Sequence, residues 1–134
     1  MEGRESAVVG YVSDTYDEGV RLVEVGVGRC DKTARALSEA GFVVTATDVS
    51  NVDTGESVGF VRDDVTSPDI SIYEDASLVY SLRPPYEIHA DIDAVARSVG
   101  ADTLLVPLAD EGAPPESGFE LVNREGHSFF VRLC

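Results

Sequence analysis

The feature that most constrains the fold is a strand pattern, a glycine turn and a helix pattern in direct succession. Residues 21–25 (RLVEV) have the short apolar run of a buried strand, and residues 31–40 have the periodicity of an amphipathic helix. Between them, Gly26 permits a tight turn, and Gly28 lets a ligand approach the backbone closely. Because the helix start presents free N–H groups, the turn favours a negative or polar ligand group.

Strand and helix patterns alternate along the rest of the chain. We predict further strands at 42–47, 58–61, 77–82 and 103–108 and further helices at 5–17 and 87–99, with Asp31 as an N-cap and Gly41 and Gly100 ending helices. Residues 119–122 and 128–133 flank a predicted hairpin turn at 123–126. Alternation of this kind predicts one three-layer, Rossmann-like α/β domain over residues 1–134, with a mostly parallel sheet and an antiparallel hairpin near its end.

The charge balance is strongly acidic. The 134 residues carry 25 acidic and 10 basic side chains, a formal net charge of −15, and Lys32 is the only lysine. Strong salt shortens the range of such self-repulsion, to about 3 Å at 1 M. The surface therefore resembles that of proteins from salt-loving archaea, with an acidic mesophilic protein as the alternative. The balance argues against nucleic-acid partners, because non-specific nucleic-acid binding depends on Lys and Arg.

The remaining composition predicts a cytoplasmic protein without a metal. No apolar run reaches the roughly 18–20 residues of a membrane span, and the first residues carry no hydrophobic signal segment. Cys30 and Cys134 suit a reducing compartment and suggest no disulfide framework. His89 and His127 lack a metal-ligand spacing to these cysteines.

Acidic side chains follow the second and third predicted strands. Asp48 lies 22 residues after Gly26, where a carboxylate can hold a pair of ribose hydroxyls. Asp63 and Asp64 could reach an adenine amino group, although loop aspartates are common in so acidic a chain. Asp31 stands where a dinucleotide fingerprint has its third glycine, and its carboxylate would repel a pyrophosphate. The site thus predicts an adenosine-bearing ligand and argues against NAD.

Four motifs in order resemble those of class I S-adenosylmethionine-dependent methyltransferases. They are Glu24-Val25-Gly26-Val27-Gly28, Asp48, Asp63-Asp64-Val65 and Pro84-Pro85-Tyr86. The hairpin near the end resembles the last two strands of that family. More narrowly, the chain is similar to a family of small, uncharacterised archaeal Rossmann-like proteins related to those methyltransferases.

The resemblance implies a seven-stranded sheet and a set of cofactor contacts. It places Glu24, Gly26 and Gly28 along the methionine part of S-adenosylmethionine, Asp48 at the ribose and Asp63 or Asp64 near the adenine. Amino-methylating members have Asn or Asp before Pro-Pro-Tyr, whereas this chain has Arg83, which only donates hydrogen bonds.

Three functions follow, and the sequence leaves open whether the protein is an enzyme. The first is a minimal S-adenosylmethionine-dependent methyltransferase, in which Arg83 grips the carboxylate or phosphate of a small acidic substrate and Tyr86 helps to position it. The second is a non-catalytic module that binds the cofactor, a protein partner or a second copy. The third is an NAD-binding oxidoreductase.

Overall fold

The computed structural model describes residues 3–107, 114 and 118–134. The helices are α1 (Gly3–Thr15), α2 (Lys32–Glu39) and α3 (His89–Val99). The strands are β1 (Arg21–Val25), β2 (Val43–Asp48), β3 (Gly59–Arg62), β4 (Ala76–Leu82), β5 (Asp102–Val106), β6 (Glu120–Arg124) and β7 (His127–Arg132). They form one seven-stranded sheet in the order β3-β2-β1-β4-β5-β7-β6.

The topology confirms the predicted fold class. Strands β1 to β5 pair in parallel, whereas β7 pairs antiparallel with both β5 and β6. Helices α1 and α2 cover one face of the sheet and α3 covers the other, which gives three layers. None of the helices in the described ranges is both long and apolar enough to cross a bilayer.

Alternation along each strand divides the apolar side chains between two cores. In β1, Leu22 faces the core under α1 and α2, whereas Val23 and Val25 face the core under α3. Glu24 lies two residues after Leu22, and side chains two residues apart on a strand point to the same face. The Glu24 side chain therefore lies on the α1 and α2 face. A carboxyl group is thereby placed within a largely apolar layer near the carboxyl end of β1.

Predicted boundaries differ from the observed ones where backbone hydrogen bonds intervene. The Phe42 N–H donates to the Leu37 carbonyl of α2, so β2 begins one residue later. The last predicted helix begins with a 3₁₀ turn at Tyr86–Ile88. β5 ends at Val106, which removes Pro107 from the ladder. Leu108 and nearly all of the predicted loop 109–117 lie outside the described residues.

The predicted four-residue hairpin turn at 123–126 is wrong, because the turn has two residues. Arg124 pairs with His127, which leaves Glu125 and Gly126 as the turn, with φ of 53° and 80°. Positive φ at both positions matches the right-handed twist of the paired strands. The predicted cap is also wrong in its chemistry: Asp31 occupies the N-cap position, but its carboxylate binds Arg35 instead of a helix N–H.

Candidate functional site

A cavity of about 300 Å³ opens at the carboxyl ends of β1, β4 and β5. The glycine turn after β1 forms one wall, and the first turn of α1 lies across from the end of β4. Its lining side chains are apolar or charged, and the residues are Arg4, Glu5, Glu24, Gly26, Val27, Arg29, Cys30, Leu82, Arg83 and Val106. Open parallel sheets bind ligands at this edge, so the cavity is the candidate site.

The glycine turn has a conformation that favours its glycines. Gly26 has φ of 74° and Gly28 has φ of 58°, in the left-handed region that glycine adopts without steric cost. The N–H groups of Gly26 and Val27 donate to the Thr47 carbonyl at 2.9 and 3.0 Å, which fixes the turn against β2. A Cβ atom built on Gly28 would meet no heavy atom within 4 Å, so one side of the turn is open to a ligand.

The structure brings Asp48 to the glycine turn. Its Oδ2 accepts a hydrogen bond from the Gly28 N–H at 2.8 Å, and its Oδ1 accepts one from the Ser50 N–H at 3.0 Å. Asp48 does not line the cavity itself. Its carboxylate therefore holds the turn in place and still has lone pairs for hydroxyl donors.

Glu24 is the most unusual side chain of the cavity. It is 1% exposed, and its Oε1 has no hydrogen-bond partner among the described residues. Burial raises the pKa of Glu24 to about 8, the neighbouring Tyr80 hydroxyl opposes the shift, and the charge of Asp31 adds to it. The Tyr80 hydroxyl is itself buried without a well-formed hydrogen bond within the described ranges. A buried carboxyl group with an unsatisfied oxygen at a cavity is a marker of a binding site.

Asp63 and Asp64 do not line the cavity but organise the loop after β3. Asp63 accepts hydrogen bonds from the Asp69 N–H at 3.0 Å and from the Tyr73 hydroxyl at 2.9 Å. Asp64 accepts from both the N–H and the hydroxyl of Thr66. The loop geometry accounts for these contacts without a ligand.

Of the two residues predicted to handle a substrate, Arg83 lines the cavity and Tyr86 does not. Arg83 has φ of 57°, and its N–H donates to the Val106 carbonyl at 2.6 Å. Its guanidinium donates to Glu5 Oε1 at 3.2 Å, so the cation already has a partner. The Tyr86 ring is 41% exposed and lies 5.1 Å from the His89 ring, between centroids.

Two further cavity cations, Arg4 and Arg29, were missed by sequence reasoning. Within the described part of the chain, these are the arginines that form neither a hydrogen bond nor an ion pair with protein. The others all bind protein acceptors: Arg21, Arg35, Arg62, Arg83, Arg97, Arg124 and Arg132. In a chain of net charge −15, two unpaired guanidinium groups on one cavity indicate an anionic ligand group.

Comparison with known sequences identifies the family. The sequence profile of the Uncharacterised protein family (UPF0146) matches residues 7–133. The UPF0146 protein of Archaeoglobus fulgidus is 41% identical over 124 residues, which cover 92% of this chain and 91% of that protein. A UPF0146 protein of Halobacterium salinarum is 47% identical over 91 residues, covering 68% of this chain and 70% of the relative. The predicted membership of a small archaeal family is confirmed.

Comparison with solved structures confirms the methyltransferase-type fold. An rRNA methylase from Streptococcus thermophilus has a TM-score of 0.67 and 14% identity, covering 100% of this chain and 99% of that one. A TehB-like SAM-dependent methyltransferase from Corynebacterium glutamicum has a TM-score of 0.64 and 18% identity, with coverages of 97% and 86%. An RNA methyltransferase from Salinibacter ruber, in complex with S-adenosyl-L-homocysteine, has a TM-score of 0.63 and 15% identity, with coverages of 98% and 92%.

Proposed function

Since the chain belongs to the uncharacterised protein family UPF0146, its activity has to be inferred from the site, and we propose that it binds S-adenosylmethionine at the glycine turn after β1. The observation that carries the proposal is that a buried carboxyl group with an unsatisfied oxygen and two unpaired guanidinium groups line one cavity. Glu24 lies in its wall, and Arg4 and Arg29 contribute the cations.

This arrangement suits the amino-acid end of the cofactor. The α-ammonium group of S-adenosylmethionine requires an acceptor, which the Glu24 carboxylate supplies once it loses its proton. The α-carboxylate requires donors, which Arg4 and Arg29 supply as charge-assisted hydrogen bonds. A zwitterion would thus satisfy the buried oxygen and both cations at the same time.

The neighbouring groups suit the nucleoside end. The glycine turn leaves space beside Gly28, and Asp48 is fixed beside that space with acceptor capacity for ribose hydroxyls. We assign Asp63, or its neighbour Asp64, to the vicinity of the adenine amino group, although their present hydrogen bonds organise the loop. The N–H groups of Gly26 and Gly28 already donate to Thr47 and Asp48, so these two glycines would contribute close approach to the backbone, and the α2 N-terminus would contribute backbone donors.

We extend the proposal to a minimal methyltransferase that acts on a small acidic substrate. The cofactor supplies an electrophilic methyl group, and the protein's contribution is alignment of the acceptor with it. Arg83, at the carboxyl end of β4, would exchange Glu5 for a carboxylate or phosphate of the substrate, and Tyr86 would flank the entrance. The net charge of −15 disfavours a nucleic-acid acceptor.

A second candidate is a non-catalytic cofactor-binding module. The contacts and positions of the two residues that would handle a substrate favour it. Glu5 already neutralises Arg83, and Tyr86 lies outside the set of residues that line the cavity. In this alternative the Glu5–Arg83 pair stays closed when the cofactor is bound.

Calorimetric titration in molar potassium chloride tests cofactor binding. We expect micromolar affinity for S-adenosylmethionine and S-adenosylhomocysteine and none for NAD. Glu24→Gln should weaken binding at least tenfold while the protein stays folded, because the amide cannot carry the charge that an ammonium group requires. Glu39→Gln, on the exposed end of α2, is the matched control and should bind normally. Absence of binding to wild-type protein would refute the proposal.

Transfer of a labelled methyl group to a panel of small carboxylates and phosphates separates the two candidates. Turnover that Arg83→Ala abolishes, with cofactor affinity unchanged, supports the methyltransferase. Cofactor binding without turnover on any acceptor supports the non-catalytic module.

A further inference from the structure

Strand β6 forms an open edge of the sheet. It pairs with β7 on one side, and no other strand in the described ranges pairs with its outer side. Its sequence, Glu-Leu-Val-Asn-Arg, contains no proline, lysine or bulge, and its two charged residues, Glu120 and Arg124, lie at the ends of the strand. Leu121 is 62% exposed on this strand. The edge is therefore competent to add another strand.

The hairpin register determines which backbone groups face outward. In a hairpin with a two-residue turn, the residues that flank the turn exchange hydrogen bonds, as Arg124 does with His127. Because residues of an antiparallel strand alternate in the side to which their backbone groups point, those of Val122 and Glu120 also face β7. The N–H and C=O groups of Leu121 and Asn123 are directed away from the sheet, and no backbone hydrogen bond of the described turns and loops involves them.

The sequence of this edge is complementary to itself. When two copies of β6 align antiparallel about a twofold axis at Val122, Leu121 of each copy lies opposite Asn123 of the other. Those are the residues with outward backbone groups, so four hydrogen bonds form across the axis. In the same register Glu120 lies opposite Arg124 of the second copy. The twofold axis produces this charge pair twice. Moving one strand along the other to the next hydrogen-bonded register, in either direction, separates both pairs.

From this self-complementarity we propose that the protein forms a twofold homodimer through β6, which joins two sheets into one continuous sheet. The two Leu121 side chains lie diagonally across the axis, within reach of each other, so the exposed leucine becomes partly buried. Arg124 already binds Asp14 and lies against Gly10 of α1, and a guanidinium with five N–H donors keeps donors for the new Glu120. The surface is independent of the cofactor proposal, because it lies at the β6 edge rather than at the cavity.

Charge repulsion between two copies of net charge −15 makes the dimer salt-dependent. Light scattering coupled to size exclusion in 2 M potassium chloride should give a dimer mass at micromolar concentration. The mass should move toward that of a monomer as the salt is lowered. A monomer mass at all concentrations in high salt overturns the proposal.

Leu121→Pro tests the backbone contact. Proline removes the outward N–H of Leu121 and leaves the β6–β7 ladder intact, since that ladder does not use this group. We expect the dimer dissociation constant to rise at least a hundredfold with unchanged circular dichroism. A variant that is folded and still dimeric overturns the proposal.

A charge-exchange pair tests the register and does not depend on proline. Glu120→Arg places two arginines opposite each other, and Arg124→Glu places two glutamates opposite each other, so each variant alone should be monomeric. Mixed together, they should form a heterodimer, because both matches are restored. Arg62→Glu, at the opposite edge on β3, is the control and should remain dimeric. Failure of the mixture to associate, or loss of the dimer in the control, overturns the proposal.

Discussion

Two buried carboxyl groups on opposite faces of the sheet have opposite surroundings. Asp93 on α3 is buried and accepts from Arg97 at 2.7 Å, from Thr103 at 2.8 Å and from Arg132. Burial alone would raise the pKa of Asp93, but these hydrogen bonds and the Arg132 charge outweigh it and lower the pKa. Glu24 has no such set of partners, and burial raises its pKa to about 8.

The difference separates a carboxyl group whose partners all lie within the protein from one that we propose serves a ligand. The Asp93 cluster is satisfied internally, so no ligand is needed to explain it. Glu24 carries a cost that the protein alone does not offset, which is the arrangement expected where a ligand supplies the missing partner.

Removal of the Asp93 carboxylate should have the largest effect. In Asp93→Ala, the buried Arg132 guanidinium loses its counter-charge, and we expect a loss of about 3–5 kcal/mol in the free energy of unfolding. Urea unfolding in molar salt measures this loss. Asp93→Asn keeps an acceptor and should lose less. An alanine variant within 1 kcal/mol of wild type would contradict the structural role.

The pH dependence of stability should run in opposite directions for the two groups. Glu24 is protonated in the folded protein up to about pH 8 and in the unfolded chain only below about 4.5, so its contribution to stability falls as pH rises through that window. Asp93, with a lowered pKa, contributes stability above its unfolded value of 3.8 that is lost on acidification.

Thermal melts of wild type and Glu24→Gln between pH 4.5 and 8.5 measure the Glu24 part. We expect the melting temperature of Glu24→Gln, relative to that of wild type, to rise by several degrees from pH 4.5 to pH 8.5, because the amide has no charge to bury. Glu39→Gln should follow wild type. Parallel curves for wild type and Glu24→Gln would show that the carboxyl group is not buried in the protonated form.

Asp48→Asn should have an intermediate effect. The amide keeps one acceptor oxygen for the two N–H donors of Gly28 and Ser50, and we expect a loss of about 1.5 kcal/mol in stability. The Gly28 amide proton should also exchange faster with solvent, which NMR measures. Unchanged exchange at Gly28 would mean that Asp48 does not hold the turn.

Substitutions at Arg83 should have the smallest effect on stability, and the glycine variant should be more stable than the alanine variant. Both Arg83→Gly and Arg83→Ala lose the exposed contact with Glu5, so comparing them isolates the backbone. With φ of 57° at this position, the glycine variant should be more stable by about 1 kcal/mol. The usual order, with alanine more stable, would exclude a left-handed conformation here.

The sequence predicted the strands and the glycine turn better than it predicted which arginines of the site are paired. Apolar periodicity located β1, and the glycines with Asp48 located the turn, because both depend on local spacing. The partner of Arg83 could not be predicted, since Glu5 lies 78 residues away in the chain. Neither could the unpaired state of Arg4 and Arg29, because it depends on where every acidic side chain lies in three dimensions.

Hairpin and cap errors have local physical causes. The four-residue turn was predicted from the residue types at 123–126, and these do not show that Glu125 adopts a positive φ beside Gly126. Asp31 was expected to cap α2, but an arginine one turn later competes for its carboxylate. In the capping case two short-range contacts compete for one carboxylate, and composition does not decide between them.

The position of β7 has a consequence for the order of folding. Asp93 is synthesised 39 residues before Arg132, and β7 inserts between β5 and β6. A nascent chain can therefore pair β1 to β5 early, whereas Asp93 of α3 has Arg97 and Thr103 as partners but lacks the Arg132 cation until β7 is in place. We expect pulse-labelling during refolding to protect the amides of β1 and β4 before those of α3, so that docking of α3 is the late, cooperative step.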